Sequence, residues 1–410
     1  MNDRAAHAIS ALGMVVMVVI AWTASLDRKR IPWRIIFCGT AIQFALAFLM
    51  LRTDPGRRFF VAANDAVNGF IAYTDTGVRF VFGALVDTGF SFVINVLPII
   101  VFMGSLFAVL YHIGVIQPVV GLLARALARS LGISGAESLS AVANIFLGMV
   151  EAPLLVRPYL AAMTESELFC VMTTGMAGIA GSVLVAYVQM LGGGDFAGHL
   201  VISSILTAPA GILIAKVMVP ERGVPETGAA GHTIVEPTSL NLIDAAATGA
   251  ADGMRVAGYV GATLLAFVAA IAMLNDGLGR LGSMAGIEGI TFQRLLGFGM
   301  APLAWLMGIP WSEATQVGGL LGVKTVLNEF LAYQQLGELI KAGALSHRSA
   351  VIASYALCGF ANFGSLAILL GGLGGMAPTR RGDVARLGLR SILAGSLATF
   401  MTACIAGILI

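Results

Sequence analysis

Glu151 sits inside an apolar run, Asn144-Ile145-Phe146-Leu147-Gly148-Met149-Val150-Glu151-Ala152-Pro153-Leu154-Leu155-Val156-Arg157-Pro158-Tyr159, between a glycine and two prolines. Pro153 has no N–H to give and its ring clashes with the preceding turn, so a helix entering this run must break beside the acid. A charge at bilayer depth is costly and faces a cavity or a partner rather than lipid. Irregular backbone at that depth is tolerated only where protein surrounds it or where it lines a water-filled space. The run therefore reads as one wall of a binding site in a helical membrane protein.

The rest of the chain agrees with a membrane setting. Hydrophobic residues make up 58% of 410 and charged residues 11%, with a mean hydropathy of +0.90, far from the balance of a soluble domain. The 51 glycines fit close helix packing in lipid. A net charge of +2 excludes a nucleic-acid surface. Cys38, Cys170, Cys358 and Cys404 form neither a CxxC nor a Cys/His cluster, so they read as small buried side chains.

Apolar segments predict helices near 8–24, 35–51, 92–115, 168–191, 200–219, 255–275, 348–370 and 388–410. No small-residue cleavage site precedes the basic loop Asp27-Arg28-Lys29-Arg30, so the first segment is expected to be retained as a membrane helix. The positive-inside rule places that loop in the cytoplasm, together with Arg380, Arg381, Arg386 and Arg390, and both termini outside. Residues 52–91 mix charges with aromatics and are expected to lie along the interface. Residues 221–254 are the longest polar stretch, in which Asn241-Leu242-Ile243-Asp244 opens a helix.

Two segments, 137–163 and 299–335, are apolar but interrupted by proline or glycine at mid-length. Interrupted segments in corresponding positions of two halves are the pattern of an inverted-repeat secondary transporter. A second unusual acid, Glu329, follows the second interruption in Lys324-Thr325-Val326-Leu327-Asn328-Glu329. It reads either as an ion-pair partner of Lys324 or an arginine, or as an acceptor for ligand hydroxyls. Asn362 and Ser365, three positions apart, would share a helix face, either gluing helices or meeting a polar solute. Phe360 and Phe363 are packing residues or a stacking platform. Arg157 either neutralises Glu151 or sits at the cytoplasmic mouth, while His112 and His199 read as interfacial. Phosphate loops, metal-protease motifs and nucleophile–base pairs are absent, so an enzyme is not expected.

Ser134-Gly135-Ala136-Glu137-Ser138-Leu139-Ser140, the Glu151 to Tyr159 run, Pro302 to Trp311, Lys324 to Phe330 and Cys358 to Phe363 resemble, in order, the signature segments of the concentrative nucleoside transporters, in the bacterial eight-helix form. The resemblance implies an all-α polytopic membrane protein: about eight transmembrane helices plus two re-entrant hairpins, near 137–163 and 299–322, and two unwound helices around a midplane site, with an inverted-repeat transport core on a trimerisation scaffold. Residues 1–115 would be the N-terminal helices, interfacial segment and scaffold start, and 116–410 the transport core. It implies a homotrimer in the bacterial inner membrane, importing nucleosides in symport with Na+ or H+, with no other cofactor. Glu329, Asn362 and Ser365 match the ribose-holding residues. Glu151 matches the acid on the nucleobase side, Phe360 the aromatic near the nucleoside, and Val183 a residue of the base pocket. The family's sodium site would map to Asn144, Gly178 and the carbonyls of Leu147 and Ile179.

Three departures accompany the match. The family's polar pair at the first hairpin tip is replaced by Met149 and Val150, and the first serine of its Asn-Phe-Ser-Ser by Gly364. An apolar pocket discriminates weakly, so base preference is expected to be shifted or relaxed. Gly178 stands where sodium-dependent relatives carry a serine, and a small cation site is weakened by losing an oxygen. A proton is the alternative coupling ion, taken up on Glu151 or Glu329, because desolvation favours a neutral carboxyl. The rivals are a symporter for another ribosyl solute and, from a different class, a nucleoside-sensing receptor or channel.

Overall fold

The computed structural model of the chain describes residues 3–88, 91–228, 239–284, 286–287 and 289–410, and every regular element in it is helical. Part of the polar stretch expected over 221–254 lies outside the described residues. Seven helices are long and apolar enough to cross a membrane: Arg4–Thr23, Trp33–Arg52, Phe92–His112, Glu165–Met190, Phe196–Met218, Leu242–Met284 and Pro378–Leu409. Phe363–Met376 is apolar but shorter, and Phe292–Leu306 with Trp311–Val326 is long and apolar enough only as a bent pair, so the described residues hold seven such helices, or eight if the pair is one span.

Burial divides these helices into two sets. Glu165–Met190, Phe196–Met218 and Pro378–Leu409 are buried over 83%, 89% and 89% of their apolar windows, against 17–28% for the other four. A helix that is apolar all round and enclosed is core, whereas the same composition left open must face lipid or another chain. In the outer set Leu242–Met284 lies along Leu97–His112, with backbones close enough that a side chain at Gly104 would collide with the carbonyl of Gly249. This helix starts well before the expected 255, capped by Asn241, whose side chain accepts from the N–H groups of Ile243 and Asp244.

The interfacial segment is one amphipathic helix, Asp54–Phe82, rather than several. Thr53 caps it and Pro55 stands in its first turn, where the missing N–H costs nothing. It meets the core through Asn64, whose Oδ1 accepts from the N–H of Gly198 at 2.6 Å, and through Phe60, edge-on to His199 at 5.0 Å. His199 is thus buried, with Nδ1 3.2 Å from the Tyr355 hydroxyl, and is not the exposed interfacial residue expected.

Both interrupted segments fold back. The first comprises Gly135–Ala143, a loop over 144–150, and the short helices Glu151–Leu154 and Arg157–Leu160. Ser134 and Glu137 form a capping box at its entry. The second comprises Phe292–Leu306 and Trp311–Val326, bent by 116° at the Gly308–Pro310 turn, so it begins earlier and ends later than 299–322. The two basic loops meet at one end of the molecule. Arg390 donates to the carbonyl of Ala24 at 2.7 Å, Arg222 pairs with Asp27 at 3.1 Å, and Arg386 with Glu165 at 2.9 Å.

Candidate functional site

Two of the expected helices, 168–191 and 348–370, are broken, and the breaks cross. Glu165–Ala177 ends at Gly178, whose extended backbone runs on to Ala180 before Gly181–Met190 resumes. His347–Leu357 gives way to extended backbone at 358–362 before Phe363–Met376. At the crossing the N–H of Phe360 donates to the carbonyl of Gly178 at 3.2 Å. The first hairpin tip satisfies another freed group, the Phe146 carbonyl accepting from the N–H of Gly181 at 3.2 Å. Broken backbone in a membrane needs such partners, because no solvent is there to supply them. Gly359 is required for the close approach: a side chain there would lie 2.6 Å from the carbonyl of Ala177.

Glu329 starts the helix Glu329–Lys341 beside this crossing and is 3% exposed. The Tyr187 hydroxyl donates to its Oε1 at 3.0 Å and Asn362 Nδ2 donates to its Oε2 at 2.8 Å. A buried carboxylate survives only with such donors. Asn362 is not on a helix face shared with Ser365, as the three-residue spacing suggested. It is extended and caps Phe363–Met376, its Oδ1 accepting from the Ser365 N–H at 2.7 Å. Capping fixes the amide so that its Nδ2 faces Glu329, and it brings Ser365 alongside. The break therefore creates the polar cluster that joins Glu329, Asn362 and Ser365.

Lys324 is fully buried but does not pair with Glu329. Its Nζ donates to the carbonyl of Ala356 at 2.8 Å and to Thr399 Oγ1 at 3.0 Å, lying 5.7 Å from the centre of the Phe400 ring. It anchors the last turn before the second break to the final helix. Glu151 stands where expected, beside the break at the start of Glu151–Leu154, and is exposed. It is outside the Tyr187–Glu329–Asn362 cluster, and among the described residues Arg157 forms no ion pair with it. Met149 packs against Gly175 of one broken helix and Val150 against Gly372 of the other, so the apolar pair seats the hairpin tip on both. Val183 and Phe360 are buried at the two breaks.

The residues mapped to a cation site also gather here. Asn144 is buried, and its Nδ2 donates to the Thr174 carbonyl at 2.9 Å, leaving Oδ1 without a partner. A side chain at Gly178 would start 2.2 Å from that Nδ2, so the amide occupies space that a serine would claim. An unpaired buried oxygen fits a cation, and the missing hydroxyl removes one of its ligands.

Sequence reasoning missed two features. Lys216, near the end of Phe196–Met218, pairs with Glu137 at 2.7 Å and donates to Ser166 Oγ at 3.0 Å, tying the first hairpin to two core helices. Two charges inside apolar segments were the available signal. Tyr187 carried none, since a tyrosine in an apolar helix looks like packing.

Crossed broken helices, each preceded by a re-entrant hairpin and meeting at a buried acid and amide, are the architecture of a secondary transporter. Models for the N-terminal and C-terminal parts of the Na+ dependent nucleoside transporters match residues 12–85 and 199–407, and a nucleoside-recognition gate model matches 93–194. The Bacillus subtilis transporter YutK is 43% identical over 97% of this chain and 98% of its own length. The nucleoside permease NupC of Helicobacter pylori is 40% identical, with 98% and 97% covered. Mouse sodium/nucleoside cotransporter 1 is 40% identical over 99% of this chain, which spans 64% of that longer protein. The structure of CNTnw in an inward-facing, substrate-bound state matches with a TM-score of 0.91 at 47% identity, covering 98% of both chains. The chain belongs to the concentrative, Na+ dependent nucleoside transporter family, a family of multi-pass transporters and not of enzymes.

Proposed function

We propose that this chain imports nucleosides across a bacterial inner membrane, holding the ribose on Glu329, Asn362 and Ser365 and discriminating weakly among bases. The observation that carries the reading is the buried Glu329 carboxylate, each oxygen accepting one hydrogen bond within a cluster formed by two helix breaks. The base lies toward Glu151, Val183 and Phe360. Met149 and Val150 are occupied in packing the hairpin tip, so that edge offers the base no side-chain hydrogen bond. Competition of labelled uridine uptake by purine and pyrimidine nucleosides tests this. Comparable competition by both classes is expected, and a strict preference for one would contradict it. Competition by no nucleoside would favour a different ribosyl solute.

The coupling ion in this proposal is a proton rather than sodium. Support comes from Gly178, which has no hydroxyl, and from the Asn144 amide filling the space beside it. The proton is carried by Glu151, to which no described side chain donates, rather than by Glu329, which must stay ionised to accept the ribose hydroxyls. The assembly is a homotrimer built on the outer helices, whose apolar faces are left open. Because Leu242–Met284 packs on Leu97–His112, the scaffold takes helices from both sides of residue 115. Native mass measurement reads the trimer directly, and a monomer would contradict it.

A further inference from the structure

Tyr187 is fully buried, and its hydroxyl and both its ring contacts meet the helix that Glu329 begins. Its ring stacks on Tyr333 with centroids 4.4 Å apart and planes 17° apart, and meets Phe330 edge-on at 4.8 Å. Tyr333 in turn donates to the carbonyl of Ser354 on the second broken helix at 2.7 Å. The two backbones are close as well, since a side chain at Gly337 would run into the carbonyl of Met190. The ring is thus clamped, and a clamped ring aims its hydroxyl at one place, the Oε1 atom of Glu329.

An ionised carboxylate has about four lone-pair sites. Tyr187 takes one on Oε1 and Asn362 takes one on Oε2, so each oxygen keeps one for a further donor. Two remaining acceptors, one per oxygen of a fixed carboxylate, suit two hydroxyls on neighbouring carbons. Freed from Tyr187, the carboxylate can rotate about its last bond, and that pairing is lost. We propose that Tyr187 is a positioning residue that holds Glu329 in the orientation that accepts a vicinal diol, and so sets the preference for ribosides over deoxyribosides. The proposal rests on the reading that Glu329 receives the ribose.

The test compares uridine with 2′,3′-dideoxyuridine as competitors of labelled uridine uptake, in the wild type, Tyr187→Phe and Glu329→Gln. Tyr187→Phe keeps the clamped ring and removes only the hydroxyl. Loss of a hydrogen bond to a charged group should weaken uridine about tenfold while changing dideoxyuridine by less than about twofold. The preference for the riboside would then nearly vanish, with the maximal uptake rate retained. A purely structural role would weaken both solutes equally, or stop the protein accumulating in the membrane, and either result overturns the proposal. If Glu329→Gln abolishes the preference and Tyr187→Phe leaves it intact, only the role of Tyr187 fails. If Glu329→Gln leaves the preference intact, the ribose reading itself fails.

Discussion

Asn362 shows how one residue can do several jobs when it stands at a helix break. Its Oδ1 caps Phe363–Met376, its Nδ2 holds Glu329, and its extended backbone ends the crossing segment. The acids and amides of the cluster were legible in the sequence because polar residues in apolar runs stand out. The way they meet was not, since a three-residue spacing implies a helix and capping replaced it. Gly178 carries the residue-scale prediction. Its φ of −94° and ψ of 172° are open to any residue, so the backbone tolerates Gly178→Ser. The new side chain would displace the Asn144 amide from Thr174 and add the missing hydroxyl. Uridine uptake by Gly178→Ser should therefore gain sodium stimulation that the wild type lacks. Uptake equally indifferent to sodium in both proteins would remove Gly178 as the reason.

At the scale of elements, the hairpins and broken helices are held by buried charges at some distance from the site. Glu137 opens the first hairpin, and its partner Lys216 also reaches Ser166 at the start of the first broken helix. Removing one member of a buried pair leaves the other charge uncompensated, at a cost of about 3–5 kcal/mol. Lys216→Met should lower the thermal transition of the detergent-purified protein by a correspondingly large amount, and Glu137→Gln with Lys216→Met should restore most of it. If the double variant is as unstable as the single one, the pair is not the reason for the loss. The existence of both hairpins followed from Pro153, Gly308 and Pro310. Their extents did not, because Phe292 to Leu296 and Val323 to Val326 carry ordinary helix residues with no punctuation. The two breaks at 178–180 and 358–362 likewise lack proline, so hydropathy alone did not place them, and only the family resemblance implied that two helices unwind. The crossing, where Phe360 donates to Gly178, and the hairpin tip, where Phe146 accepts from Gly181, supply backbone partners that a lone helix lacks.

For the whole molecule, hydropathy and basic residues made legible most of the long apolar helices and which loops share a side. They did not report which helices are enclosed, because the enclosed Phe196–Met218 and the open Trp33–Arg52 are equally apolar. That difference separates an enclosed core, bearing both broken helices, from outer helices left for lipid or neighbouring chains. The central claim is that this core moves nucleosides uphill on a cation gradient. The most direct measurement is labelled uridine uptake into proteoliposomes, with inward proton and sodium gradients imposed separately. Accumulation above the outside concentration under a proton gradient without sodium, collapsing on addition of a protonophore, is the predicted result. Uridine that only equilibrates, whichever gradient is imposed, would contradict it.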